Sequence, residues 1–361
     1  MSHCLHFGHC GGCAVDARRA IDKPALLAQA LAKAGWPEPS LGPLVEPPLG
    51  TRRRADLAAS RNGAEITLGL HQAGSPEVVD MRECALLQPG IVRLLPELRT
   101  LLRSLQGFRR VGDVVINWLD DGPDILLGLD GTPTGPDRSK IIEFARRHGV
   151  LRMSTRCGTA PPEPVVILAP PVITFSGAVV EPPPAAFLQA SAQGEAAIVE
   201  AMLAGLPKLT RKSFIVELFA GAGTLSFALA RAARVVAYEG DAAAFAALDR
   251  AIRLNNLAGR MSVFMRDLHR RPLPAAELNK AAGIVLDPPF AGAGLQMRAL
   301  AASGVPRIIY VSCNPEALAR DAAQLHRAGY GVLSATPIDQ FPHSANVESV
   351  VVFGRVFDRT L

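Results

Sequence analysis

The chain has 361 residues, 49% of them hydrophobic and 20% charged, with six cysteines and a formal net charge of +5. That length suits about two domains with a sizeable core, and the apolar fraction excludes a disordered chain. No run reaches the ~18 uninterrupted apolar residues of a spanning helix. The start Met1-Ser2-His3-Cys4 has no basic-then-apolar signal pattern. The expected location is therefore the cytoplasm, where stable disulfides are rare and the cysteines need another use. The positive charge permits a nucleic-acid partner without demanding one, and 5% aromatics argues against a broad stacking surface.

Cys4, Cys10 and Cys13 open the chain, and Cys84 is the candidate fourth member of the group. Four thiolates suit zinc or an iron–sulfur cluster. The spacing is not the paired C-x2-C of a zinc ribbon, although His3, His6 and His9 are alternative zinc ligands. Residues 25–34 and 91–105 read as helices, and 64–70, 114–118, 125–129 and 165–168 as strands bounded by Gly, Asp and Pro. This half reads as a mixed, mostly antiparallel domain. Arg52-Arg53-Arg54, Arg109-Arg110 and Arg146-Arg147 are either phosphate contacts or solvated faces. Cys157 has no partner in the pattern and reads as structural.

Pro182-Pro183-Pro184 denies the chain both helix and ladder bonds, which places a boundary there: domains 1–185 and 186–361. Beyond it, apolar runs (214–218, 235–238, 262–265, 283–286, 307–311) alternate with helical ones (225–231, 242–254, 315–328). That rhythm predicts a parallel sheet with helices on both faces, and ligands at the carboxyl ends of its strands. An acid stands near four such ends. Glu217 precedes the turn Phe219-Ala220-Gly221-Ala222-Gly223. Glu239 suits a ribose diol and Asp267 an adenine amino group, and the fourth acid is Asp287 of Asp287-Pro288-Pro289. Together they point to an adenosine-containing cofactor. The full G-x-G-x-x-G pattern and a Walker lysine are both missing, so S-adenosylmethionine fits better than NAD or ATP. Cys313 follows an apolar strand and precedes Asn314-Pro315, a helix start that favours a thiolate. Glu348 begins the apolar run 349–353, where a partly desolvated carboxylate can serve as a base.

These residues resemble the S-adenosylmethionine-dependent RNA uracil-C5 methyltransferases, which act on tRNA or 23S ribosomal RNA. The most specific matches are Tyr310-Val311-Ser312-Cys313-Asn314-Pro315, Leu318-Ala319-Arg320-Asp321, and Phe341-Pro342-His343 with Glu348. Phe187-Leu188-Gln189, Glu217 to Gly223 and Asp287-Pro288-Pro289 align in the expected order, so the likeness covers nearly the whole chain. It implies an α/β fold. Residues 186–361 would form a Rossmann-like class I methyltransferase domain. Residues 1–185 would form a smaller α+β domain carrying the cysteine cluster and an RNA surface, with 16–47 packing back on the catalytic domain.

The resemblance also implies roles. Cys313 is the nucleophile that adds to uracil C6, and Glu348 is the base that removes the C5 proton. Gln189, Phe219, Gly221, Glu239 and Asp267 contact the cofactor, and Asp287 lies between cofactor and target base. Cys4, Cys10, Cys13 and Cys84 hold a [4Fe-4S] cluster, in preference to zinc. The partner is RNA, with 23S ribosomal RNA favoured over the tRNA T-loop; neither a membrane nor an obligate protein partner is implied. The family's additional N-terminal RNA-binding barrel (TRAM) is not expected, because the cysteine motif starts at Cys4. Two positions depart from the pattern: Phe290 replaces the usual Arg after Asp-Pro-Pro, and Asn346 replaces the usual His before Glu348. Two readings from other classes are a non-catalytic RNA-binding scaffold and an NAD-type oxidoreductase.

Overall fold

The computed structural model describes residues 4–13 and 21–355. His3, and residues 16–20 of the 16–47 segment, lie outside the described residues. Helix α1 (Lys23–Ala34) starts where the Asp22 carboxylate accepts from Ala25 N–H with Pro24 in the first turn. Leu27, Ala30, Leu31 and Ala34 form its buried stripe.

Strands β1 (Arg54–Asn62) and β2 (Glu65–Gly69) form a hairpin, followed by α2 (Pro89–Ser104), β3 (Val111–Trp118), β4 (Pro123–Leu129), α3 (Gly135–His148), β5 (Arg152–Cys157) and β6 (Glu163–Ile167). Their six-stranded sheet has the order β2-β1-β3-β4-β5-β6, antiparallel except for β4 with β5. Helix α3 carries a capping box, Thr134 with Asp137, and makes the crossover that a parallel pair requires. The buried Arg152–Asp124 fork, at 2.8 and 2.7 Å, ties β5 to β4.

A short hairpin, β7 (Ile173–Phe175) and β8 (Ala178–Val180), leads through the prolines to α4 (Ala192–Ala204). The second sheet then follows with β9 (Phe214–Leu218), α5 (Ser226–Ala232), β10 (Arg234–Glu239), α6 (Ala242–Leu254), β11 (Met261–Met265), α7 (Ala275–Leu278), β12 (Gly283–Leu286), α8 (Gln296–Ala302), β13 (Arg307–Ser312), α9 (Pro315–Arg327), β14 (Tyr330–Ile338) and β15 (Glu348–Arg355). Its order is β11-β10-β9-β12-β13-β15-β14. The first five strands are parallel, and β15 pairs antiparallel with β13 and β14. Helices α4, α5 and α6 cover one face. Helices α8 and α9 cover the other, together with α1, whose buried stripe joins the same core.

Residues 41–45 run beside β14, with Leu41 bridging Ala335 and Val45 bridging Ile338. The N-terminal segment therefore crosses to the large sheet before the small sheet begins. Nine elements had no counterpart in the sequence reading: β1, α3, β5, β7, β8, α4, α7, α8 and β14. Strand β1 reads Arg-Ala-Asp-Leu-Ala-Ala-Ser-Arg-Asn, with alanines in place of β-branched residues, so its local signal is weak. Its pairing on both edges, with β2 and β3, holds it extended. Among the described residues no helix is long and apolar enough to cross a membrane.

Candidate active site

Chain reversal in the large sheet lies between β9 and β12, where one run of strands proceeds to β10 and β11 and the other to β13. Open sheets bind ligands at the carboxyl ends beside such a point. After β9 the chain turns through Phe219, at φ +62°, an uncommon left-handed conformation for an aromatic residue. Gly221 follows at φ +57°, with nothing within 4 Å of where a Cβ would stand, so its backbone lies open to a ligand. Glu239, at the end of β10, accepts from Gly221 N–H at 2.6 Å and from the N–H groups of Gly240 and Asp241 at 2.7 and 2.6 Å. Those bonds use three of about four carboxylate lone-pair sites. Asp267 accepts from His269 N–H at 3.0 Å and Arg270 N–H at 3.2 Å. The His269 ring lies 5.4 Å from that of Phe219. Gln189, Phe219, Gly221, Glu239, Asp267 and Asp287 all belong to this end of the sheet or to the segment entering it.

Glu217 differs from the other acids. Its side chain is buried and accepts a hydrogen bond from the Ser226 hydroxyl. Burial raises its pKa to about 8, with Asp287 and Glu239 adding to the rise. It is a neutral core acid beneath the glycine turn, not a rim acid open to a ligand.

The antiparallel register explains how Cys313 and Glu348, 35 positions apart, come together. Ser312 at the end of β13 pairs with Ser349 in β15, so the next position on each strand, Cys313 and Glu348, faces the same edge. Their charges sense one another: Cys313 is pushed up to about 12 by burial, then by Glu348 and Asp287. Glu348 rises well above the usual carboxylate range through burial and the nearby Asp287. Asp287 itself rises to about 7, chiefly through burial.

Two amides thread these groups together. Gln189 Nε2 donates to Asp287 Oδ2 at 3.0 Å, and Gln340 Nε2 donates to Gln189 Oε1 at 3.0 Å and to Glu348 Oε2 at 3.3 Å. Glu348 Oε1 is buried and has no hydrogen-bond partner among the described residues. The loop after Asp287 is fixed from α9: Asn314 Nδ2 donates to Phe290 O at 2.9 Å, Arg320 to Ala291 O at 3.1 Å, and Asp321 accepts from Ala293 N–H at 2.7 Å and the Tyr310 hydroxyl at 2.6 Å. Phe290 stays exposed on this held loop.

The sequence reading missed Lys23 and Gln340. Lys23 is 1% exposed, and its ammonium donates to the carbonyls of Phe341, Ser344 and Asn346 at 2.8, 2.8 and 2.6 Å and pairs with Asp339 at 3.1 Å. It holds the loop that delivers Glu348. Only its burial, invisible in sequence, separates it from an ordinary surface lysine.

The arginine triplet needs a correction. Arg53 bonds the Gln189 carbonyl and pairs with Glu195, and Arg54 bonds the carbonyls of Ala185 and Ala186. Both tie β1 to the segment entering the large sheet, and their donors face protein, not phosphate. Arg109, Arg110, Arg146 and Arg147 remain exposed.

Cys4, Cys10, Cys13 and Cys84 share one neighbourhood, built where residues 4–13 dock on 71–84: Gly11 N–H donates to His71 O and Cys10 bridges Gln72. Burial raises the thiols of Cys4, Cys10 and Cys13, and mutual repulsion adds to it; Cys13 reaches about 12 under the influence of the other three. Such a set of thiols favours neutralisation by a cation or cluster. Among the described residues no three His, Cys, Asp or Glu are drawn tightly enough to hold a metal ion. His6 Nε2 is already used, accepting from Arg82 N–H at 3.0 Å. Cys157 is exposed and apart.

Known proteins align with this layout. A family model described as tRNA (uracil-5-)-methyltransferase matches residues 185–356. An uncharacterised RNA methyltransferase of Rhizobium meliloti (strain 1021) is 39% identical over 357 residues, covering 96% of this chain and 84% of that protein. Another from Zymomonas mobilis is 34% identical over 98% of this chain and 88% of its own length. The solved structure of Pyrococcus abyssi tRNA (uracil-54, C5)-methyltransferase in complex with S-adenosyl-L-homocysteine covers 92% of this chain and 81% of its own, with TM-score 0.69 and 18% identity. That last likeness establishes a shared α/β fold with a Rossmann-like sheet. The identity to the Rhizobium and Zymomonas relatives across almost the entire chain shows that the protein belongs to the same family of RNA methyltransferases.

Proposed function

We propose that the protein methylates C5 of a uridine in RNA through a covalent adduct between Cys313 and uracil C6. The observation that carries this reading is the meeting of Cys313, Glu348 and Asp287 at one buried sheet edge, with Glu348 Oε1 left unpartnered. C5 of uracil is a poor carbon nucleophile. The Cys313 thiol gives its proton to solvent and the thiolate adds to C6, moving the ring electrons onto C5 and O4 as an enolate; the thiolate expelled at the end takes a proton back from solvent. S-adenosylmethionine, when bound, supplies the methyl group from its sulfonium and leaves as S-adenosylhomocysteine. Glu348 then removes the C5 proton; the C–H electrons form the C5–C6 double bond, and the C6–S bond breaks to return the thiolate. Asp287, raised to about 7, can carry the proton that hydrogen-bonds a uracil oxygen. A cationic sulfonium, when bound, would offset the burial and the neighbouring acids that raise the Cys313 thiol.

The open backbone at Gly221 and the acids Glu239 and Asp267 suit the adenosine half of that methyl donor, with Gln189 and Phe219 beside it. The target base must leave its stack to reach such a pocket, at a cost of about a few kcal/mol. For the four-thiol neighbourhood we favour a [4Fe-4S] cluster over zinc, following the cysteine spacing of the resembling iron–sulfur members; the thiols influence one another, and binding would draw them closer together. Methyl transfer needs no redox step, so the cluster would serve to organise the 4–13 loop. The substrate we favour is 23S ribosomal RNA, following the iron–sulfur-bearing members that the cysteine spacing resembles. A tRNA T-loop uridine is the second reading, favoured by the activity of the Pyrococcus neighbour.

The test is RNA containing 5-fluorouridine. Fluorine cannot leave as a proton, so the wild-type protein accumulates a stable adduct seen on a denaturing gel. Cys313→Ala forms none and loses methylation by about a thousandfold or more. An adduct with Cys313→Ala would exclude that residue as the nucleophile. Mapping 5-methyluridine in ribosomal and transfer RNA from a deletion strain decides the substrate.

A further inference from the structure

We propose that Gln340 is a positioning residue for this reaction: its buried amide sets the direction of the Gln189 amide toward Asp287 and holds one oxygen of Glu348 so that the other faces the reacting carbon. The inference deepens the covalent mechanism above and rests on it.

The argument starts from a backbone group. Ser191 N–H can only donate, and it points at Gln340 Oε1 at 3.4 Å. That contact makes Oε1 the acceptor and turns Nε2 toward Gln189 and Glu348. With Gln340 Nε2 donating, Gln189 Oε1 must accept, so Gln189 Nε2 must donate to Asp287. One fixed N–H at the start of α4 thus dictates the hydrogen-bond direction through four side chains. Gln340 is 5% exposed, Gln189 3% and Glu348 3%, so water does not offer ready substitutes for these bonds.

The bond to Glu348 has a sense. Gln340 offers Glu348 Oε2 a donor, which favours the ionised carboxylate, the form a base requires. The charged or titratable groups facing Glu348 from the neighbouring strand ends are Asp287 and Cys313, and both oppose its ionisation or are opposed by it. Gln340 is the group that works the other way. Occupying Oε2 leaves Oε1 as the free oxygen.

The neighbouring helix is shaped to admit this amide. Gly194, in the first turn of α4, has backbone that any residue adopts in a helix, yet a Cβ there would overlap the Gln340 amide. Helical propensity favours alanine at that position over glycine, so the glycine answers to the amide and not to the helix.

The experiment compares wild type, Gln340→Met, Gly194→Ala and the double variant Gly194→Ala/Gln340→Ala on RNA bearing the target uridine. Gln340→Met keeps volume and removes the amide. The expected results are a KM for S-adenosylmethionine that changes far less than kcat, a kcat at least about tenfold lower, and accumulation of an enzyme–RNA adduct on unmodified RNA as proton removal slows. The acid limb of kcat moves upward by about one pH unit, because Glu348 loses the donor that favours its charge. Gly194→Ala reproduces these effects by displacing the amide, and adds little once Gln340 is alanine. A kcat and acid limb like wild type in both single variants would overturn the proposal. So would lost activity with an unmoved acid limb and weakened cofactor binding, the pattern of a merely structural residue. If Gln340→Met does not fold, Gly194→Ala alone decides between these results. Wild-type protein that forms no adduct with 5-fluorouridine RNA fails the covalent reading itself, and the inference with it.

Discussion

Glu217 sits on the core side of β9, fully buried beneath the glycine turn, with the Ser226 hydroxyl donating to it. Because its folded pKa of about 8 lies above the ordinary carboxylate value, the folded state binds a proton that the unfolded chain releases. Its contribution to stability is full below about pH 4 and is lost as pH rises through about 8. Glu217→Gln keeps the acceptor for Ser226 and removes the titration. By differential scanning fluorimetry it should melt with wild type at pH 4 and several degrees higher at pH 8; equal melting at both would show that Glu217 does not hold a proton in the fold. This acid also marks a limit of sequence reading at the residue scale. Its place before a glycine turn is legible, but its depth is not. Glu239 also stands just ahead of a glycine, yet it ends its strand bonded to three backbone N–H groups. Cys313 and Glu348 could be singled out as candidates because their neighbours are distinctive, and the register of β13 with β15 brings them together. Gln340 and Lys23 were not, because a lone Gln or Lys carries its meaning only in what surrounds it.

Helix α1 and the 339–346 loop illustrate the next scale. Lys23 gives the loop a single buried ammonium shared by three carbonyls and Asp339. Burial lowers its pKa while Asp339 opposes that fall. Lys23→Met would leave those acceptors without a donor. It should cost roughly 2–4 kcal/mol in urea unfolding and lower kcat by disordering the approach to Glu348. Unfolding at the wild-type midpoint would show that the loop holds without it. Elements whose signal is periodic, such as β9 to β13 and α9, were readable from the chain. Strand β14 was not: Tyr-Gly-Val-Leu-Ser-Ala-Thr-Pro-Ile contains a proline and a glycine and is held by its pairing with β15. Helix α3, rich in charge on its outer face, is defined by its capping box more than by an apolar run.

For the whole molecule, the cysteine loop and the catalytic loop are neighbours. The Phe7 ring meets the His343 ring edge-on at 5.7 Å, and the Arg52 guanidinium lies over the Phe341 ring at 5.9 Å. Protein purified without oxygen should carry about four irons per chain, lost in Cys84→Ser; stoichiometric zinc without iron would replace the cluster reading by a zinc one. Removing the metal should speed proteolysis near residues 341–346, since the loop loses the support of residues 4–13. The two-sheet organisation was legible from the change of rhythm at the prolines, whereas the crossing of α1 to the large sheet was expected only through the family resemblance, because it depends on a match of apolar surfaces that a linear pattern does not display. That crossing has a consequence in time. Lys23 and the Phe341 carbonyl it binds are 318 residues apart. At about 5–20 residues per second, a ribosome takes roughly 15–60 s to make the second after the first. Throughout that interval the apolar stripe of α1 has no seat, and the newborn chain must keep it from other partners until the last helix and strands arrive.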